Sequence, residues 1–93
     1  MPGNTQIKVI VKGRVQGVFY RVHTQSQADR LGVKGYVKNL PDGSVEAVFE
    51  GDRQSVSQMV KWCHQGPKAS FVEHVLAKEA DGLSNFKIFE ITY

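Results

Sequence analysis

The chain has 93 residues, 41% of them hydrophobic and 23% charged, with a formal net charge of +3. This length bounds it to one domain with a thin core, and so mild a basic excess suits an anionic partner without implying nucleic acid. A single cysteine, Cys63, excludes an internal disulfide.

The first five residues are expected to be flexible. The opening MPGNTQ is polar and lacks the apolar centre of a signal peptide. No stretch of the chain approaches the roughly 18 apolar residues of a membrane span, so a cytoplasmic chain with no membrane partner is expected. Residues 6–13 read as a strand, with Ile7, Val9 and Val11 on one face and Lys8, Ile10 and Lys12 on the other. A helix follows over 21–31, where Tyr20, Thr24, Ala28 and Leu31 share a face and Gly32 ends it. A second strand covers 33–39, LPDG (40–43) makes a turn, and a third strand covers 44–50 with Val45, Ala47 and Phe49 inward. Asp52 is placed to cap a second helix over 53–65, whose apolar face is Val56, Met59, Val60 and Cys63. Gly66 and Pro67 end that helix; SFVEHVLAKEA holds a fourth strand, and FKIFEITY a short last one.

The order β-α-β-β-α-β plus a terminal strand is that of an α+β, ferredoxin-like sandwich, one mostly antiparallel sheet with two helices on one face. In that topology the first and second strands are parallel, with the third between them. Their carboxyl ends then lie at one end of the sheet, two strand spacings or roughly 10 Å apart. The stretch GRVQGVFYR (Gly13 to Arg21) meets Asn39 there. Gly17 lets the backbone turn and approach a ligand closely. Backbone N–H groups from Val15 to Tyr20 can converge on an anion at a helix N-terminus. Arg21 adds a fork that matches phosphate oxygens. Spacing alone fits equally a tight turn whose glycines serve only geometry.

These residues also carry a resemblance. VKGRVQGVFYR (Val11 to Arg21) resembles the first signature of the acylphosphatase family, and GYVKNLPDGSVEAVFEG (Gly35 to Gly51) resembles the second; together they span 28 of the 93 residues. The resemblance implies hydrolysis of the carboxyl–phosphate bond of small acyl phosphates to a carboxylate and inorganic phosphate, by a monomer without a cofactor. It implies that Val15, Gln16, Gly17, Val18, Phe19 and Tyr20 form the phosphate-binding loop, that Arg21 binds the phosphate, and that Asn39 orients the water. Tyr20 stands where the family usually carries Phe or Met, and Leu40 where vertebrate members commonly carry Thr.

Such chemistry suits a chain with few candidate catalytic groups. His23, His64 and His74 are widely spaced and no Cys/His zinc pattern exists, so no metal is expected. The carboxylates offer no evident acid–base pair. An acyl phosphate expels a carboxylate whose parent acid has a pKa of about 4, so it needs no general acid. A loose phosphoryl-transfer transition state needs mainly alignment and charge stabilisation.

Elsewhere the readings are structural: Cys63 and Trp62 as packing, Arg14 as a solvated arginine, Asp42 as a turn residue and His74 as part of its strand. Lys8, Lys12, Lys34 and Lys38 form the exposed sheet face. A single-stranded RNA-binding domain shares the element order, and KGYVK (34–38) resembles the opening of its motif. That motif belongs on the third strand, which here is SVEAVFE, with two glutamates and one aromatic, so no nucleic-acid partner is expected. An inactive interaction domain is the other alternative; the presence of both Arg21 and Asn39 argues against it.

Overall fold

The structure, a computed structural model, describes residues 3–93. Its elements are β1 (Asn4–Arg14), α1 (Tyr20–Leu31), β2 (Lys34–Asn39), β3 (Val45–Asp52), α2 (Arg53–Gln65), β4 (Phe71–Glu79) and β5 (Phe89–Ile91). One five-stranded sheet runs β4-β1-β3-β2-β5. Both β1 and β2 pair antiparallel with β3, and are therefore parallel to each other; β4 pairs antiparallel with β1. The expected ferredoxin-like α+β fold is present. Strand β1 begins earlier than its alternation suggested, because Asn4 and Thr5 pair with Asp52 and Gly51. Of the five residues expected to be flexible, these two therefore lie in the sheet, and Met1 and Pro2 lie outside the described residues.

One face of the sheet and both helices make the core. Val9 and Val11 of β1, Val37 of β2, and Val45, Ala47 and Phe49 of β3 are fully buried against Tyr20 and Ala28 of α1 and Val56, Met59 and Cys63 of α2. Each such side chain contributes roughly 1.5–3 kcal/mol of burial if large. Leu31, Val60 and Trp62 pack at the margin of this cluster. Helix α1 rests on β2 and β5, and α2 on β1, β3 and β4. Two helix ends follow the sequence closely. Gly32 takes φ 73° and closes α1, and the Asp52 carboxylate accepts the Ser55 N–H at 2.9 Å to cap α2.

The helix-free face departs from simple alternation. Glu46, Val48 and Glu50 of β3 point away from the helices, yet they are buried. Glu46 accepts the Tyr36 hydroxyl at 2.7 Å and pairs with Lys8 at 3.4 Å and Lys38 at 3.9 Å. Glu50 accepts the backbone N–H groups of Ser84 at 2.7 Å and Phe86 at 2.8 Å. The segment after β4 thus folds over the lower part of this face. The lysines expected on the exposed face do reach solvent, and two of them, Lys8 and Lys38, also pair with the central Glu46 carboxylate, while Lys12 meets Asp42 at 3.3 Å. His74 is exposed on the edge strand β4.

The last strand is shorter than its eight-residue apolar pattern. Only Phe89–Ile91 is strand, parallel to β2, with Phe89 stacked on Phe49 at 5.8 Å between ring centroids. Phe86 is drawn instead to Glu50 and to the Tyr36 ring.

Candidate active site

The topology sets two segments side by side at one end of the sheet. Val45 of β3 is level with Val11 of β1 on one side and with Asn39 of β2 on the other. Past Val11, β1 bulges between Lys12 and Gly13, where a Cβ on Gly13 would collide with the Phe71 carbonyl oxygen of β4. The chain then leaves the sheet over residues 15–19 and enters α1.

Buried Val15 anchors this loop in the core. Gly17 has φ 76° with nothing near its Cβ position, so its requirement is one of backbone freedom rather than space. Phe19, the residue before α1, is also left-handed at φ 63°. A non-glycine residue pays roughly 1–2 kcal/mol for that conformation. Left-handed residues alternating with right-handed ones build the concave nests of N–H groups that hold anions.

The two helix N-termini differ in a telling way. Helix α2 is capped by Asp52. Helix α1 has no side-chain cap, and, as in α2, no acidic residue stands in its first turn. Its leading N–H groups therefore lack the usual side-chain acceptor, and their partial positive charge is unopposed. Arg21 adds a full charge. Among the described residues Arg21 forms no ion pair, and its guanidinium lies over the Tyr93 ring at 5.4 Å.

A cavity of about 180 Å³ opens here, lined by Val15, Gly17, Phe19, Tyr20, Arg21, Val22 and Asn39. Asn39 Oδ1 is buried with no hydrogen-bond partner among the described residues. A buried acceptor left alone costs about 1–3 kcal/mol, so the site calls for a donor from a ligand or water. A cavity of such size, bordered by an uncapped helix start, an unpaired arginine and an orphan acceptor, can seat a tetrahedral anion and a water together. A larger hollow of about 380 Å³ lies on the helix-free face beside Tyr36, Val48 and Phe86. Its polar groups are mostly engaged: Lys8 with Glu46, and Glu79 with Thr5 and Arg53.

Of the eight residues singled out from the sequence, Arg21, Asn39, Val15, Gly17, Phe19 and Tyr20 line the cavity, while Gln16 and Val18 do not. Val18 packs beside the core. The Gln16 amide reaches the carbonyls of Leu40 and Ser44. Tyr20 turns its hydroxyl away from the cavity and donates to the Cys63 carbonyl of α2 at 2.8 Å. That carbonyl lies in the last turn of α2, where carbonyls lack intrahelical donors. Burial holds the Tyr20 hydroxyl protonated well above its usual range, and pushes the Cys63 thiol up to about 12. Leu40 takes part through its backbone, its N–H donating to the Ser44 carbonyl at 2.8 Å. Sequence reasoning missed two neighbours. Val22 is an apolar residue at an exposed helix position, which was a usable signal. Tyr93 carried none, because its place depends on how β5 pairs.

Among the described residues no group of three His, Cys, Asp or Glu side chains is arranged to hold a metal ion, and no helix is long and apolar enough to cross a membrane.

The family model Acylphosphatase matches residues 7–91. The acylphosphatase of Rubrobacter xylanophilus is 50% identical over 86 residues, covering 92% of this chain and 78% of that one. The acylphosphatase of Trichormus variabilis is 48% identical, with 95% of each chain covered. The crystal structure of acylphosphatase from Bacillus subtilis superposes with a TM-score of 0.93 at 36% identity, over 96% of this chain and 99% of that one.

Proposed function

The chain belongs to the acylphosphatase family, and from that premise we propose how its residues divide the hydrolysis of small acyl phosphates. The phosphoryl group sits in the cradle of residues 15–20 at the start of α1, held by backbone N–H groups. The Arg21 guanidinium binds its oxygens as a fork and takes up the charge that spreads over them in the transition state. Asn39 holds the attacking water in line with the scissile bond. The observation that carries this reading is the buried, unpartnered Asn39 Oδ1 in the cavity that Arg21 lines. An acceptor needs a donor. Water supplies one and a phosphate dianion does not, which supports water at Oδ1.

In the reaction the water oxygen bonds to phosphorus as the bond from phosphorus to the acyl oxygen breaks. The electron pair leaves with the carboxylate, which needs no proton because its parent acid has a pKa of about 4. The water's proton passes to a phosphate oxygen, so no side-chain base is required. The proposed enzyme acts as a monomer in the cytoplasm, without metal or cofactor. Activity is expected to survive EDTA, and inorganic phosphate and sulfate are expected to inhibit competitively by filling the cradle. Loss of turnover on chelation, restored by a divalent ion, would defeat the metal-free mechanism.

A further inference from the structure

Gln16 lies in the loop but its amide faces the wrong way to hold phosphate. The Nε2 group donates to the Leu40 carbonyl at 2.8 Å and to the Ser44 carbonyl at 2.9 Å. These two carbonyls belong to the turn between β2 and β3. The turn is otherwise closed on itself: Leu40 N–H donates to Ser44 at 2.8 Å, Gly43 N–H to Leu40 at 3.1 Å, and Ser44 N–H to the Asp42 carboxylate at 3.0 Å. Gln16 ties this closed unit to the loop that precedes α1. A second link, from Lys12 to Asp42, is exposed at both ends.

Leu40 directly follows Asn39. Among the described residues the Asn39 Oδ1 atom has no hydrogen bond to fix its direction. Its aim therefore depends on where the backbone at 39–40 is held; pairing with β3 fixes it within the sheet, and the Gln16 amide fixes it relative to the loop before α1. We propose that Gln16 is a positioning residue for hydrolysis: its two donated hydrogen bonds clamp the β2–β3 turn to the β1–α1 loop and so fix the distance and angle between Asn39 and the seated phosphoryl group. This inference rests on the reading of Asn39 as the group that orients water. It also accounts for a glutamine in a loop otherwise built of backbone donors. A single side chain with two N–H donors can bridge two carbonyls, which Glu or Met of similar length, having no N–H, cannot do.

The test is a double-mutant cycle on the full chain, with Gln16→Met, Asn39→Ala and the pair, reading kcat on an aryl acyl phosphate and the inhibition constant of inorganic phosphate. Gln16→Met is expected to lower kcat by roughly 10-fold, since small misplacements of an aligned group are costly in rate. Phosphate inhibition should stay within about 3-fold, and on the Asn39→Ala background the further loss should be under about 2-fold, because the two act as one unit. Multiplying losses, or a phosphate constant that rises as much as kcat falls, would overturn the clamp and return Gln16 to the cradle. If Asn39→Ala alone keeps normal kcat, the water-orienting reading fails and the clamp with it, an outcome distinct from multiplying losses. Should Gln16→Met not fold, through-hydrogen-bond NMR couplings from the Gln16 side-chain nitrogen to the Leu40 and Ser44 carbonyl carbons can be sought in the unaltered chain. Their presence supports the clamp and their absence overturns it.

Discussion

Arg21 and Asn39 line one cavity, yet their proposed tasks differ, and their variants should differ accordingly. Arg21 is assigned to the phosphate in both ground and transition state. Arg21→Gln should therefore weaken phosphate inhibition and collapse turnover together, and Arg21→Lys should rescue little, because a point charge does not reproduce a planar fork. Asn39→Ala should cut kcat by at least ~10²-fold, the scale seen for loss of one preorganised polar group. Its phosphate inhibition constant should stay within a few-fold. Parallel kinetics on the two variants check this; equal loss of phosphate affinity in both would make Asn39 a phosphate ligand. Tyr20 is a different case. Its hydroxyl serves the Cys63 carbonyl, so Tyr20→Phe should cost about 1–3 kcal/mol by leaving that buried acceptor alone, while kcat on the folded protein stays near normal. Thermal melts and kinetics on one sample separate the two effects. That Arg21 and Asn39 come to one cavity was legible in the sequence because each belongs to a short motif with fixed spacing. The partner of Tyr20 was not, because it is a backbone carbonyl 43 residues away and any residue type can supply one.

The elements show what periodicity can and cannot carry. Helix α2 runs over the span expected from its apolar spacing and its Asp52 cap. That cap is worth testing: Asp52→Ala should lower stability by about 1 kcal/mol, measured by denaturant unfolding. Helix α1 has a weak apolar stripe but a firm one, since Tyr20, Thr24 and Ala28 are all fully buried. Its uncapped start is legible only by contrast with α2, and it is the end that faces the cavity. Strand β3 was half readable. Alternation found its inward face, but nothing local tells that Glu46 and Glu50 are covered as well. They are buried because β3 sits at the centre of the sheet and because the segment after β4 returns to bind Glu50. Both causes lie far away in sequence. The same holds for β5, whose parallel pairing with β2 sets Phe89 on Phe49 and Ile91 beside the core, while Phe86, ahead of the strand, is drawn to Glu50 and Tyr36.

For the molecule as a whole, the carboxylates predict an acid limb of stability. Burial opposes ionisation of Glu46 and Glu50, but the Tyr36 hydroxyl and two lysines at Glu46, and the Ser84 and Phe86 N–H groups at Glu50, outweigh it and lower both. Asp52 is lowered by the Ser55 N–H it caps, Glu79 by the Thr5 hydroxyl and Arg53, and Asp42 to about 2 by Ser44. Carboxyls held below their unfolded values stabilise the fold above the usual carboxylate range near pH 4, and that stability is lost as pH falls through the folded values. Melting temperature should therefore drop steadily from about pH 4 toward pH 2. Cys63 works at the other end. Its thiol ionises near 9.0 when unfolded and about 12 when folded, so it contributes an alkaline loss that begins above the lower value. A melting temperature flat from pH 4 to pH 2 would contradict the carboxylate account. The fold class was legible from element order, since few topologies accept that order, whereas the clamp between two loops was not, because it depends on which way one amide points. The claim at the centre is that this small cavity hydrolyses acyl phosphates through Arg21. It is tested most directly by following hydrolysis of an aryl acyl phosphate in the presence of EDTA, with the unaltered chain and Arg21→Gln compared at matched folded concentration. The account predicts that the unaltered chain releases carboxylate and inorganic phosphate in equal amounts, and that Arg21→Gln, still folded by its melting curve, loses nearly all of that rate. Comparable rates in the two, or none in the unaltered chain, would contradict it.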